Sequence, residues 1–269
     1  MPKFSLQNRV ILSTMLEVFQ SFKLKPSVHF SEDPMAQSYI SGWDAFFFNN
    51  IVIKRPKDSE KLVAEIKRFH EALKKPLLIW TTPETIQDRK SSLTQALSQN
   101  FSSHGSFQGM LLDLNDADLS ESLSDSVEIR EVKDEKSSHD FSIILCDVFQ
   151  MKPIQKEMAA WVLKQSQSPF PSAYNYLAIV KGVPVGVSSL FINRSFSEVK
   201  TGGLYNAGVL PEYRKLGIGS VMAKHRVEVA KSMGVENLSI ILMSDAMARG
   251  YCERMGFKKF GEFTPYFLG

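Results

Sequence analysis

The sequence predicts a mixed α/β (α+β) chain in two units that share one order of elements. Some stretches carry apolar residues at helical spacing and others run continuously apolar or alternate, so helices and strands are interspersed along the 269 residues. From Trp43, and again from Leu204, the order strand, helix, strand, helix, strand is repeated, without a residue-level repeat beneath it. Between the two lies a polar, acidic stretch with no basic residue, which suits an exposed linker. The expected division is a first unit at 1–115, a linker at 116–126 and a second unit at 127–269.

In the first unit, Ile11, Met15, Val18 and Phe22 fall at helical spacing, so residues 5–23 form an amphipathic helix. Its polar face has few basic residues for a membrane surface, and packing on its own unit is the expected use. Phe46-Phe47-Phe48 and Ile51-Val52-Ile53 flank Asn49-Asn50, which reads as a hairpin with a tight turn or as one bulged strand, because asparagine tolerates positive φ. Residues 58–74 form a helix with Leu62, Ile66, Phe69 and Leu73 on one face. Leu77 to Trp80 is a short strand. Thr82 and Pro83 then open a helix with Ile86, Leu93 and Leu97 inward, and Phe107 to Leu114 closes the unit as a strand. The loop Lys54-Arg55-Pro56-Lys57-Asp58 has no glycine, so side chains crowd any phosphate approaching it, and the first unit is expected to hold no cofactor.

In the second unit Val127 to Val132 alternates as a strand, helices follow at 137–149 and 155–164, and Met151, Pro153, Pro169 and Pro171 mark loops. Strands Tyr176 to Val180 and Val183 to Ile192 are joined by the turn Lys181-Gly182. Leu204 to Leu210 is the next strand, stopped by Pro211, which has no N–H for a ladder. A helix starts at Ile218. Arg214, Gly217 and Gly219 stand between, so the first free N–H groups of that helix emerge where two residues carry no Cβ. Such a helix start suits a phosphate or pyrophosphate and needs no metal. The dinucleotide fingerprint is excluded because Met222 stands where it needs a third glycine, and the P-loop because Gly-Lys-Ser/Thr is absent. Arg226 falls inside the apolar arc of the same helix; its guanidinium is expected to reach solvent or to pair with an acidic group of the first unit. A strand at Leu238 to Leu242 precedes a short helix with Ser244 or Asp245 as N-cap and Gly256 just past its end. Within it Gly250 costs about 1 kcal/mol relative to alanine, so a close approach of ligand or backbone is expected there.

The strand ending in proline, the spacing Arg214-x-x-Gly217-x-Gly219 and the later Tyr251-x-x-x-x-Gly256-Phe257 together resemble the GNAT superfamily of N-acetyltransferases. The resemblance covers residues 127–269 and matches the earlier part only in outline. It implies a mixed, mostly antiparallel sheet splayed at its central strands, preceded by a smaller, degenerate αββαβαβ unit. It also implies acetyl-CoA as co-substrate, no metal, and transfer of acetyl to a primary amine by direct attack in a ternary complex. By resemblance, backbone groups of Val209 and Leu210 pair with the pantetheine arm as an added strand, and the Val209 N–H faces the thioester oxygen. Arg214, Lys215, Leu216, Gly217, Ile218, Gly219 and Ser220 hold the pyrophosphate, and Ser244 joins the cofactor contacts. Tyr251 is the expected catalytic residue. A phenol of pKa about 10 can protonate a leaving thiolate whose thiol has a pKa of about 8.5. Two other readings are a non-catalytic acyl-CoA sensor and an aminoacyl transferase to a cell-wall precursor, the latter disfavoured by the intact phosphate loop. For the amine's proton, Asn206 and Tyr205 are expected on opposite faces of their strand; neither is a good base, so water leading to an acidic residue, which the sequence does not single out, is the expected route. Phe149, Trp161, Phe170, Tyr174 and Tyr176 either line an aromatic acceptor pocket or form ordinary core.

A formal net charge of +3, with no long run of lysine and arginine, argues against a nucleic-acid partner. The acceptor is expected to be a small-molecule or protein amine. No apolar stretch is long enough to span a bilayer and the opening residues lack a signal-peptide pattern, so no membrane partner and a cytoplasmic location are expected. Cys146 and Cys252 fall in separate helices, against a disulfide; Cys252 reads as a buried thiol. His29, His70, His104, His139 and His225 show no metal-ligand spacing.

Overall fold

The structure is a computed structural model that describes residues 5–22, 36–54, 58–83, 85, 91–103, 105–120, 126–194, 199–243 and 249–269. The first half runs α1 (Leu6–Ser21), β1 (Ala36–Ile40), β2 (Asn49–Ile53), α2 (Ser59–Leu73), β3 (Leu77–Thr81), α3 (Ser92–Asn100) and β4 (Phe107–Asp113). The second runs β5 (Val127–Glu131), α4 (Glu135–Val148), α5 (Gln155–Ser166), β6 (Ala173–Val180), β7 (Val183–Asn193), β8 (Thr201–Val209), α6 (Ile218–Ser232), β9 (Asn237–Met243), α7 (Arg249–Arg254) and β10 (Lys258–Leu268).

Local chemistry sets most of these limits. Asp58 caps α2 by accepting from Lys61 N at 2.9 Å, and Lys74 ends that helix in the left-handed region. Asp134 and Ser137 close a reciprocal capping box on α4. Two expectations are corrected. The first hairpin does not turn at Asn49-Asn50: its strands are β1 and β2, and Phe46–Phe48 is a short 3-10 turn between them. Asn49 has φ −125° and uses its side chain to hold that turn, accepting from Gly42 N at 2.9 Å and donating to Trp43 O at 2.7 Å. The helix expected from Pro83 is α3, whose N-cap is Ser91, accepting from Thr94 N; Ile86 lies outside the described residues.

The ten strands of the described residues form one sheet in the order β1-β2-β3-β10-β4-β9-β8-β7-β6-β5. Only β2 with β3 and β8 with β9 pair in parallel; every other neighbouring pair is antiparallel. Read outward from the β10–β4 pair, the first three pairings in each direction are the same, antiparallel, parallel and antiparallel, an approximate two-fold relation, and β6 and β5 extend one arm only. Each half lends its last strand to the other. β10 inserts between β3 and β4, and β4 lies between β10 and β9. Each core is mixed accordingly: Tyr266 of β10 is buried with Leu62, Ile66, Leu93 and Leu97 of α2 and α3. Met110 and Leu112 of β4 are buried with Ala223 and Val227 of α6, Cys252 of α7 and Met255 just past its end. The helix α1 also crosses over. It packs on β4, β7, β8 and β9 rather than only on its own half, and Ser21 O accepts from the Trp161 indole of α5 at 3.0 Å.

Candidate functional site

The site is built where β8 leaves β9. Their pairing stops at Gly203 with Ser239, so Leu204–Val209 run on with no partner strand among the described residues along that edge, while β9 continues to Met243 against β4. On the other edge β8 stays with β7 but slips register between Val187–Gly208 and Ser189–Tyr205, which inserts one extra residue. That residue is Asn206, at φ +53°, a conformation asparagine tolerates better than most.

The bulge changes which groups face where. Past it, Leu210 N–H donates to Val185 O at 2.9 Å, making Leu210 and Val185 a hydrogen-bonded pair. Val209 opposite Gly186 is then a non-hydrogen-bonded pair, and both backbone groups of Val209 point to the open edge. Its carbonyl accepts from Arg214 Nε at 3.1 Å, which folds the loop back on the strand end and leaves the N–H facing outward. Leu210 differs from expectation: its N–H is taken by Val185 and its carbonyl by Tyr213 N at 3.0 Å, so it offers no free N–H to an incoming chain.

Beyond Pro211 the backbone turns into α6 through two left-handed residues, Lys215 at φ +64° and Gly217 at φ +76°. The N–H groups of Lys215, Leu216, Gly217, Ile218 and Gly219 make no hydrogen bond among the described residues, whereas Ser220 and Val221 N–H both donate to Gly217 O. Ser220 therefore supplies its side chain but not its N–H. A Cβ added at Gly217 or Gly219 meets nothing within 4 Å. Successive unpaired donors at the positive end of a helix form an anion cradle. Ile218, 2% exposed, anchors the helix below it, while Leu216 is 58% exposed above.

Tyr251 lies on α7, its ring packed on the core under α6, with the Arg254 guanidinium 5.6 Å from its centroid. The helix ends at Gly256, φ +105°, where a Cβ meets Asp116 O at 3.0 Å, and Phe257 is buried beside it. That is the physical content of the Gly-Phe pair. At Gly250 no close backbone approach exists among the described residues, the nearest atom to an added Cβ being Arg254 Nη1 at 3.8 Å. Cys252 is buried, and burial pushes its thiol up to about 11 against the pull of Arg226, which fits packing rather than nucleophilic chemistry. Ser244 lies outside the described residues.

Three further expectations are corrected. Because of the bulge, Tyr205 and Asn206 share one face: Tyr205 stands edge-on to Phe191, and Asn206 Nδ2 donates to Ser189 Oγ at 3.2 Å on that same side. The Tyr205 hydroxyl is buried beside Thr14 and Ser239 and is pushed up to about 12. Arg226 does not reach solvent and pairs with no acidic group among the described residues; it is 2% exposed and donates to three main-chain carbonyls. The five aromatic residues form no single pocket. Trp161 stacks between Phe22 and Phe191 on one face, Tyr176 packs with His225 on the other, and Phe149 and Phe170 are exposed. Sequence reasoning missed the polar chain from half-buried Asn206 to buried Ser189 and Asn175, whose second step, Ser189 Oγ to Asn175 Oδ1, is 2.6 Å. Its only sequence signal is a pair of polar residues, Ser188-Ser189, inside an apolar strand.

Among the described residues no cluster of histidine, cysteine, aspartate and glutamate is placed to hold a metal, and no helix is long and apolar enough to cross a membrane.

A mixed sheet opened beside a helix-terminal anion cradle is the acyltransferase arrangement that the resemblance implies. Residues 141–257, which contain both motifs, match the Acetyltransferase (GNAT) family model. The chain is also similar to an uncharacterized N-acetyltransferase, CgeE, of Bacillus subtilis (strain 168), 31% identical over 78 residues. That match spans 29% of each protein. Among solved structures, a GCN5-related N-acetyltransferase from Kribbella flavida superposes with a TM-score of 0.70 over 98% of this chain and 96% of its own, at 13% identity. A tandem GNAT protein from the clavulanic acid biosynthesis pathway superposes with a TM-score of 0.56 over 100% and 97%, at 10% identity. At these identities the structural likenesses establish the fold, and the fold extends over both halves.

Proposed function

We propose that the protein transfers an acyl group, acetyl in the first instance, from acetyl-CoA to a primary amine by direct attack in a ternary complex. The observation that carries this reading is the joint geometry of the open β8 edge, with Val209 N–H facing outward, and the unpaired donors from Lys215 to Gly219. The residues fit the co-substrate. The cradle suits a pyrophosphate, and the strand edge suits an amide-bearing arm that adds as a strand. Acetyl-CoA supplies an activated thioester. The amine nitrogen bonds to its carbonyl carbon as the carbon–sulfur bond breaks. Val209 N–H stabilises the oxygen that gains charge. Tyr251 gives its hydroxyl proton to the departing sulfur, and the proton released by the amine passes to water.

One site per chain is part of the reading. In the first half β2 runs only Ile53 beyond its last pairing with β3, and the Ile53 carbonyl accepts from Thr85 Oγ1 at 2.9 Å, so the counterpart of the open edge is short and occupied. We take residues 1–115 as a degenerate unit that completes the fold and 127–269 as the transferase unit. The two buried, free cysteines suit a reducing compartment, and we place the protein in the cytoplasm.

Incubation with acetyl-CoA and a mixed panel of primary amines, following free thiol and acetylated product, tests the reading. Amine-dependent thiol release with acetyl gain supports it. Tight binding of acetyl-CoA without release on any amine would favour a sensor, and no binding would remove the assignment.

A further inference from the structure

Arg226 is a cation in the interior with no acidic partner among the described residues. It is 2% exposed, and among the described residues no carboxylate lies within ion-pair distance of it. Burial lowers its guanidinium to about 10, which leaves it charged at neutral pH; Cys252 and Tyr176 act in the opposite direction. Such a group destabilises a fold relative to a well-packed apolar side chain of similar volume. Its neighbours on the helix, Met222, Ala223, Val227 and Ala230, are the apolar residues such a position ordinarily holds. What the guanidinium touches gives its use.

Arg226 Nη1 donates to Ser189 O at 3.0 Å and to Tyr205 O at 3.4 Å, the pair at which the β7–β8 register resumes after the bulge. A bulge leaves ladder groups without their regular partners, and here one guanidinium nitrogen, Nη1, from the neighbouring helix donates to both carbonyls at that place. Arg226 Nε donates to Met222 O at 3.1 Å, which ties the fork to the helix. From Ile218 to Arg226 is a little over two turns, about 12 Å along the axis. One rigid helix thus carries the anion cradle at its start and grips the bulge farther along.

We propose that Arg226 is a positioning residue for acyl transfer, holding the β8 bulge at a fixed distance from the anion cradle so that Val209 N–H meets the thioester oxygen. The proposal rests on the acyl-CoA reading and adds to it a residue that touches neither substrate. It separates two properties that a purely structural role would change together. Binding through the cradle is retained when Arg226 is replaced, while the transition-state contact at Val209 is lost.

The test uses the full chain with Arg226→Met and Arg226→Lys. Coenzyme A affinity by calorimetry, thiol release from acetyl-CoA with the amine panel, and amide exchange of residues 204–210 are compared with wild type. For Arg226→Met, coenzyme A affinity stays within about twofold, kcat falls about a hundredfold as expected for a misplacement on the order of 1 Å, and exchange at 204–210 accelerates about tenfold. Arg226→Lys keeps the charge but loses the fork, and recovers about tenfold of the lost rate. Wild-type kcat and wild-type exchange in a folded Arg226→Met overturn the proposal. If that variant does not fold, the same two results in Arg226→Lys overturn it. Failure of wild type to bind coenzyme A defeats the acyl-CoA reading instead, and exchange in the free protein then still decides whether Arg226 holds the bulge.

Discussion

Replacing Gly219 by valine places a branched side chain on the anion cradle. An added Cβ there meets no protein atom within 4 Å, so the folded chain tolerates it, and the volume it fills is the volume a phosphate approaches. Gly217 is a poorer choice, since its φ of +76° adds backbone strain of about 1–2 kcal/mol to any steric effect. A hydrogen bond to a charged group contributes about 1.5–3 kcal/mol, and about 1.4 kcal/mol is tenfold in affinity. Loss of one N–H contact to a pyrophosphate therefore weakens coenzyme A binding about ten- to hundredfold. Calorimetry with coenzyme A measures this, with the melting temperature as the control for folding. A folded Gly219→Val that binds coenzyme A as tightly as wild type refutes the cradle.

Tyr251→Phe keeps the ring against the core and removes the proton; turnover should fall about a hundredfold with cofactor affinity nearly unchanged, and full turnover where chemistry limits the rate would end the catalytic assignment. Saturation by coenzyme A should reach one per chain, because Thr85 occupies the Ile53 carbonyl of the first half; a ratio of two would show a second working edge. His225 packs edge-on against Tyr176, and burial holds its pKa below the ordinary value, with Glu228 and Glu131 raising it and Arg226 lowering it. The unfolded chain then binds a proton that the folded chain resists, so stability falls as pH drops from about 6.5 toward the lowered folded value. His225→Gln should flatten the dependence of the urea midpoint between about pH 7.5 and about pH 5, and an unchanged slope would count against the burial argument.

Local signals in the sequence were informative and pairing signals were not. Pro211, Gly217 and Gly219 marked the cradle because a missing donor and missing Cβ atoms have local effects. The Gly256-Phe257 pair was legible for the same reason. The exchange of β4 and β10 was not, since an apolar run says that a strand is buried and nothing about which strand lies beside it. At Asn49 the composition indicated a turn and the structure uses the amide as a clamp on a neighbouring one; the residue is turn-forming through its side chain, not its φ. The bulge at Asn206 carried no glycine, so strict alternation put Tyr205 and Asn206 on opposite faces. Helical spacing puts Arg226 on the apolar arc, where it is buried, but the carbonyls it serves are exposed by that unmarked bulge.

The exchanged strands also constrain how the chain is made. β10 is synthesised after the other nine strands, yet it sits in the middle of the sheet with β3 on one side and β4 on the other. Until it leaves the ribosome, the nascent first half presents β3 as an open edge, and Leu62, Ile66 and Leu97 lack the covering ring of Tyr266. The joining contacts span a large fraction of the chain, as between Leu77 and Leu268, so loop-closure entropy delays the final step and leaves an interval in which β3 can pair with another nascent chain.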